Sequence, residues 1–182
     1  MMIRLFDVFF SAIGLIILAP VIFIIILLGL IDTGSPFFYQ KRVGIYKNFF
    51  LLIKFRTMRL KTKQVGTHLV DKTLITTLGK FLRITKLDEI PQLFNVIKGD
   101  MSLVGPRPCL FNQKKLIKER HTRGVYNVLP GITGLAQLKK IDMSTPTLLA
   151  KTDLKMIKKM NIVNYFNYIF LTIFSILRLK FL

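Results

Sequence analysis

The chain has 182 residues, is 52% hydrophobic, and carries 28 Lys and Arg against 9 Asp and Glu, a net charge of +19. That composition excludes a disordered chain, is unusual for a soluble enzyme, and fits one domain that meets an anionic surface or an anionic substrate. The single cysteine, Cys109, excludes an intrachain disulfide, and two histidines far apart in sequence argue against a structural zinc site.

Val8 to Ile31 is an almost unbroken apolar run of 24 residues, enough to cross a hydrocarbon core. Pro20, after Ala19, falls near its middle and predicts a bend. Both flanks are basic, with Arg4 before the run and Lys41, Arg42, Lys47, Lys54, Arg56 and Arg59 after it. Positive flanks prefer the cytoplasm. A helix that dips in, turns at Ala19-Pro20 and returns satisfies both, whereas a plain spanning helix satisfies one. Pro36 to Met58 then reads as a hairpin turning near Gly44, with Lys54 and Arg56 on one face of its second strand. Residues 62–72 read as a polar loop, and Leu74 to Leu82 as a short helix.

Ile90, Leu93, Phe94 and Ile97 recur at helical spacing, with Asp88 at the N-cap position, Pro91 in the first turn and Gly99 at the end. Two prolines flank Arg107 and predict irregular backbone from Val104 to Pro108. Phe111 to Val125 reads as a charged helix, Pro130 to Gly134 as a turn, Pro146 to Met160 as a helix rich in lysine. The apolar tail from Ile162 lies in the membrane interface or packs on the domain.

Asp88 and Glu89 are adjacent carboxylates in an acid-poor chain. Neighbouring helix positions do not face each other, so the two carry separate jobs. One reading makes Asp88 a nucleophile that forms a covalent phospho-enzyme beside a helix N-terminus. The other is a plain N-cap Asp with a first-turn Glu, and spacing alone favours it. Arg107, held between prolines, suits bidentate binding of phosphate, as does Arg83 ahead of the pair; a rigid turn with a surface arginine is the alternative. A nucleic-acid module and a small structural membrane protein remain rivals, although no recognition-helix, RNP, zinc-finger, Walker or dinucleotide pattern accompanies the charge.

Taken in order, Lys54-Phe-Arg-Thr-Met58, Leu87-Asp-Glu-Ile-Pro-Gln-Leu93, Asn95 to Pro108 and Pro130-Gly-Ile-Thr-Gly134 resemble the small monotopic phosphoglycosyl transferases, bacterial enzymes that start glycan assembly on a polyprenyl phosphate. The resemblance implies transfer of a sugar-1-phosphate from a UDP-sugar to undecaprenyl phosphate with release of UMP. Asp88 would form the covalent intermediate and hold Mg²⁺, Glu89 would orient groups or handle protons, and Lys54, Arg56, Arg83, Arg107 and Asp153 would serve phosphate or nucleotide. It implies an α/β, mostly helical fold: a re-entrant membrane helix over residues 1–35, broken at Ala19 and Pro20, then a membrane-surface catalytic domain over 36–182 with a short hairpin and interfacial helices. Membrane lipids are expected partners, nucleic acid is not, and a homodimer is left open. The expected place is the cytoplasmic face of the inner membrane, with both helix ends on that side. Ala19-Pro20 departs from the family's usual Ser-Pro, Arg83-Ile84-Thr85-Lys86 from its usual run ahead of the dyad, and residues 137–146 from its usual continuation.

Overall fold

The computed structural model describes residues 2–60 and 72–178. Long Leu/Ile/Phe runs with few breakers make α1, Met2–Thr33. Its 32 residues correspond to about 48 Å. It is the one helix among the described residues long and apolar enough to cross a membrane. Ala19 and Pro20 lie inside it and do not interrupt the helix.

Both ends of α1 touch the same body. Near its start, Ile3 and Phe6 pack with Val104 and Tyr165. At midpoint Gly14 faces Leu93. Near its end Val21, Ile22, Ile25 and Ile26 pack with Phe37, Phe55 and Leu82, and Gly29 lies against Pro36. The outward side is bare: Ile16 is 74% and Ile31 85% exposed. Such a continuous apolar surface marks contact with another apolar phase.

The hairpin has the expected place. β1 (Phe37–Val43) pairs antiparallel with β2 (Phe49–Phe55), Gln40 opposite Leu52 and Phe38 opposite Lys54. Gln40, Arg42 and Lys54 therefore share one face. The polar loop expected over 62–72 falls, but for Lys72, outside the described residues. The next helix, α2 (Thr77–Thr85), begins later than its apolar spacing suggests because the Thr76 side chain accepts from Gly79 N at 2.9 Å and sets the cap.

α3 (Gln92–Lys98) ends at Gly99, whose φ of 98° closes the C-terminus. Its Asn95 is buried and treats the edge of β2 as a strand would, accepting from Ile53 N at 3.0 Å and donating to Leu51 O at 2.8 Å. β3 (Ser102–Val104), α4 (Lys114–Thr122), β4 (Gly131–Thr133), α5 (Leu135–Leu138), α6 (Pro146–Lys158) and α7 (Ile162–Arg178) complete the chain. The charged helix is thus shorter than expected, and the lysine-rich helix nearly as expected. α7 packs on the domain through buried Tyr165 and Tyr168, while Phe170 and Phe174 are exposed.

Pro130 to Gly134 is not merely a turn. Its Gly131–Thr133 is a strand parallel to β3, with Ser102 opposite Gly131 and Val104 opposite Thr133. Two glycines make this possible, since a Cβ on Gly131 would stand 2.0 Å from Gly105 N. No alternation of apolar and polar residues announces so short a strand. Gly131→Ala is expected to lower stability by about 1–3 kcal/mol, the usual cost of forcing an atom into packed space. Thermal unfolding of the lipid-reconstituted protein measures this, and an unchanged midpoint would contradict the close approach.

Candidate active site

The two carboxylates lie on a turn of their own. After α2, Lys86 takes a left-handed conformation (φ 61°), and Leu87–Glu89 forms one 3₁₀ turn closed by Ile90 N to Leu87 O at 3.2 Å. Pro91 lacks the N–H that an α-helix would direct to Leu87 O, so the ladder restarts beyond it, at Gln92. Asp88 is therefore not the N-cap of α3, and the helix start expected to receive phosphate does not lie at Asp88.

Two basic side chains converge on Glu89. Lys54 Nζ and Arg107 Nη2 each reach Glu89 Oε1 at 2.8 Å. Burial alone would raise the Glu89 carboxyl, but Arg107 and Lys54 outweigh it and hold it well below the usual carboxylate range. Burial holds Lys54 below its ordinary value despite Glu89, while Glu89 keeps Arg107 above its own. Asp88 is different. It is 8% exposed, and no hydrogen bond reaches its carboxylate from the described residues. Burial pushes it up, Glu89 adds to that, and Lys54 opposes.

The loop that carries Arg107 is held at every carbonyl. Gly105 O receives Gln137 Nε2 at 3.5 Å, and Pro106 O receives Gly131 N at 2.9 Å. Arg107 O receives Arg120 Nη1 at 2.8 Å, Pro108 O receives Arg42 Nη1 at 3.0 Å, and Cys109 O receives Val43 N at 3.0 Å. Prolines cannot supply donors of their own, so partners outside the loop do. Arg42 is buried beside Arg107, and burial followed by that neighbour lowers it to about 10. Arg120 is in turn fixed by Asp153, with Nη2 to Oδ2 at 2.8 Å and Nε to Oδ2 at 3.0 Å, both side chains almost wholly buried.

Of the residues singled out in the sequence, Asp88, Glu89, Lys54 and Arg107 come together. Arg56 does not join them: past the end of β2, it donates to Ser35 O at 2.9 Å and Phe37 O at 3.0 Å and lies over the Phe38 ring, fastening the hairpin to the exit of α1. Arg83 donates to Thr57 Oγ1 at 2.9 Å. Asp153 is a buried counter-ion that supports Arg107 through Arg120. Sequence reasoning missed Gln40, Arg42, Asn95 and Arg120. Arg42 had a signal, the alternation that puts it two residues from Gln40 on the face shared with Lys54. Arg120 also had one, its position four residues after buried Leu116.

Lys54, Arg42 and Arg107 set three cations against two carboxylates, a positive bias in a partly buried cluster. Cations so placed can bind phosphate oxygens, and a carboxylate beside them can act as a nucleophile at phosphorus. Among the described residues no three His, Cys, Asp or Glu groups gather to hold a metal.

Residues 1–179 match the bacterial sugar transferase family. A putative undecaprenyl-phosphate N-acetylgalactosaminyl 1-phosphate transferase of Bacillus subtilis is 38% identical over 133 residues, 71% of this chain and 70% of the relative. A UDP-glucose:undecaprenyl-phosphate glucose-1-phosphate transferase of Xanthomonas campestris is 42% identical over 126 residues, 64% of this chain and 25% of that longer protein. An undecaprenyl-phosphate galactose phosphotransferase of Salmonella typhimurium is 36% identical over 155 residues, 74% of this chain and 32% of the relative. With the match running over almost its whole length, the chain belongs to the bacterial sugar transferase family.

Proposed function

We propose that the protein transfers a sugar-1-phosphate from a UDP-sugar to undecaprenyl phosphate. The observation that carries the reading is the carboxylate pair itself: Glu89 ties down Lys54 and Arg107 through one oxygen, and Asp88 beside it receives no hydrogen bond from the described residues. An Asp88 oxygen attacks the β-phosphorus, the bond from that phosphorus to the oxygen bridging the two phosphates breaks, and UMP leaves with the bridging oxygen. An oxygen of the lipid phosphate then attacks the same phosphorus, breaks its bond to Asp88, and yields the diphosphate-linked sugar lipid. The lipid acceptor is in the names of the relatives, and their sugars differ, so the sugar here is a matter for the assay.

Glu89, kept ionised by two cations, orients Lys54 and Arg107 and is poorly suited to carry a proton. Mg²⁺ fits the donor set, since it is commonly held by one or two carboxylates and by substrate phosphates, and the Asp88 oxygens accept no hydrogen bond from the described residues. When bound it would neutralise diphosphate charge.

We further infer that α1 enters and leaves the membrane from one side, so that the protein is monotopic on the cytoplasmic face. Supporting this, both helix ends pack on one body, and both flanks are basic.

The test is UMP release by protein in lipid nanodiscs with undecaprenyl phosphate, Mg²⁺ and a panel of UDP-sugars. UMP from at least one donor, dependent on the lipid phosphate, is the expected result; none from any donor with folded protein overturns the reading. In the same assay Arg107→Lys is expected to lower kcat/KM about 10- to 100-fold, because a point charge cannot hold Glu89 and phosphate as the planar fork does. Near-normal rates would remove Arg107 from the reaction.

A further inference from the structure

Asp7 is a carboxylate in the second turn of a helix made largely of Leu, Ile and Phe, and it is 1% exposed. Its Oδ1 accepts from Ser102 Oγ at 3.0 Å, from Leu103 N at 2.9 Å and from Tyr165 Oη at 2.8 Å. Burial and Asp7 both keep the Tyr165 phenol above its ordinary pKa, hence a donor. Ser102 N and Gly105 N are used on the other edge of β3, by Pro130 O and Thr133 O. Asp7 thus takes the place of a second neighbouring strand. The next residues after β3 are Gly105, Pro106 and Arg107.

One turn earlier, Arg4 reaches the other half of the site. Its guanidinium donates to Val96 O at 2.7 Å and Ile97 O at 3.0 Å, carbonyls in the last turn of α3, and to Met101 O at 3.3 Å. The opposite end of α3 abuts the turn that carries Asp88 and Glu89. Behind Pro106 lies a cavity of about 290 Å³, bordered by Ile3, Arg4, Asp7, Val104, Leu129 and Met156 among others. With open space there, side-chain packing alone does not locate the loop, and directional hydrogen bonds must.

We propose that Arg4 and Asp7 are positioning residues: the first two turns of α1 clasp β3 and α3 and so set Arg107 against Glu89, making this helix part of the catalytic scaffold as well as the membrane element. The proposal rests on the reading of the site as a phosphoryl-transfer centre, but its geometry is tested apart from turnover.

The experiment compares full-length wild type, Asp7→Asn, Tyr165→Phe and the outward-facing control Ile16→Ala in nanodiscs, by amide hydrogen exchange and by steady-state kinetics. Asn at position 7 carries no charge and a weaker acceptor, and Phe at 165 removes one donor of three. Peptides covering residues 103–109 are expected to exchange at least tenfold faster in Asp7→Asn and less so in Tyr165→Phe, with the hairpin 37–55 and the control unchanged. The value of kcat is expected to fall tenfold or more in Asp7→Asn with KM for undecaprenyl phosphate retained. Unchanged exchange over 103–109, or a raised KM for the lipid with kcat intact, would overturn the proposal and leave α1 an anchor. If Asp7→Asn does not fold, Tyr165→Phe decides by the same measures. If wild type turns over no donor, the phosphoryl-transfer reading fails while the exchange arm still decides whether the clasp orders the loop.

Discussion

Asp88→Asn is expected to lower turnover about 10³-fold or more while the protein melts at the same temperature as wild type or higher. The first half follows from removing the attacking oxygen, a loss of the size seen when a nucleophile is deleted. The second follows from the environment of Asp88. Burial places its native pKa above the ordinary aspartate value of about 3.9. Between those two values the folded chain holds a proton that the unfolded chain has released, so stability falls as pH rises through that window. At neutral pH the ionised carboxylate is therefore a strain on the fold, which the neutral amide relieves. The same shift predicts that the acid limb of the wild-type pH–rate profile stands above the ordinary aspartate range. Loss of activity together with a lower melting temperature would point to damaged folding, and retained activity would rule out the covalent route.

Breaking the Arg120–Asp153 pair is expected to be the most destabilising single change near the site. Either Arg120→Met or Asp153→Asn leaves a buried partner without its counter-charge, at a cost of about 3–5 kcal/mol. For a chain of this size that corresponds to a fall of roughly 6–20 °C in Tm. The double variant Arg120→Met/Asp153→Leu is expected to recover much of the stability, since an apolar pair of similar volume often replaces a buried ion pair without loss. Activity is not expected to return with it, because Arg107 O has then lost the donor that Arg120 supplied at 2.8 Å. Melting curves and UMP assays on the three variants separate the two roles; full activity in the double variant would show that the carbonyl contact is dispensable.

Much of this site was legible in the chain because its key residues stand beside backbone punctuation. Gly99 ends α3, prolines flank Arg107, and alternation sets Lys54 on the hairpin. What escaped was long-range. Arg42 and Arg120 act on carbonyls 66 and 13 residues away, and Asn95 acts on a strand edge 42 to 44 residues off. Nothing local in sequence marks such partners. Asp7 was hidden differently: it stands at the border of the apolar run, and only the fold brings Ser102 and Tyr165 onto it. Asp88 was misplaced by one turn because periodicity sees Ile90 and Leu93 on one face but not that Pro91 interrupts the hydrogen-bond ladder between them. β4 was read as a turn because three residues cannot display a period.

The clustering of Lys54, Arg42 and Arg107 around a single tied-down carboxylate also bears on inhibitor chemistry. With Asp88 ionised, these five side chains keep an excess of one positive charge, and with Asp88 protonated an excess of two, in surroundings too sheltered for solvent to screen it fully. On the proposed reaction, a diphosphate mimic with an uncharged linker would leave that excess standing, however well the rest of it fits. Compounds that keep at least one anion beside these cations would then have the electrostatic advantage.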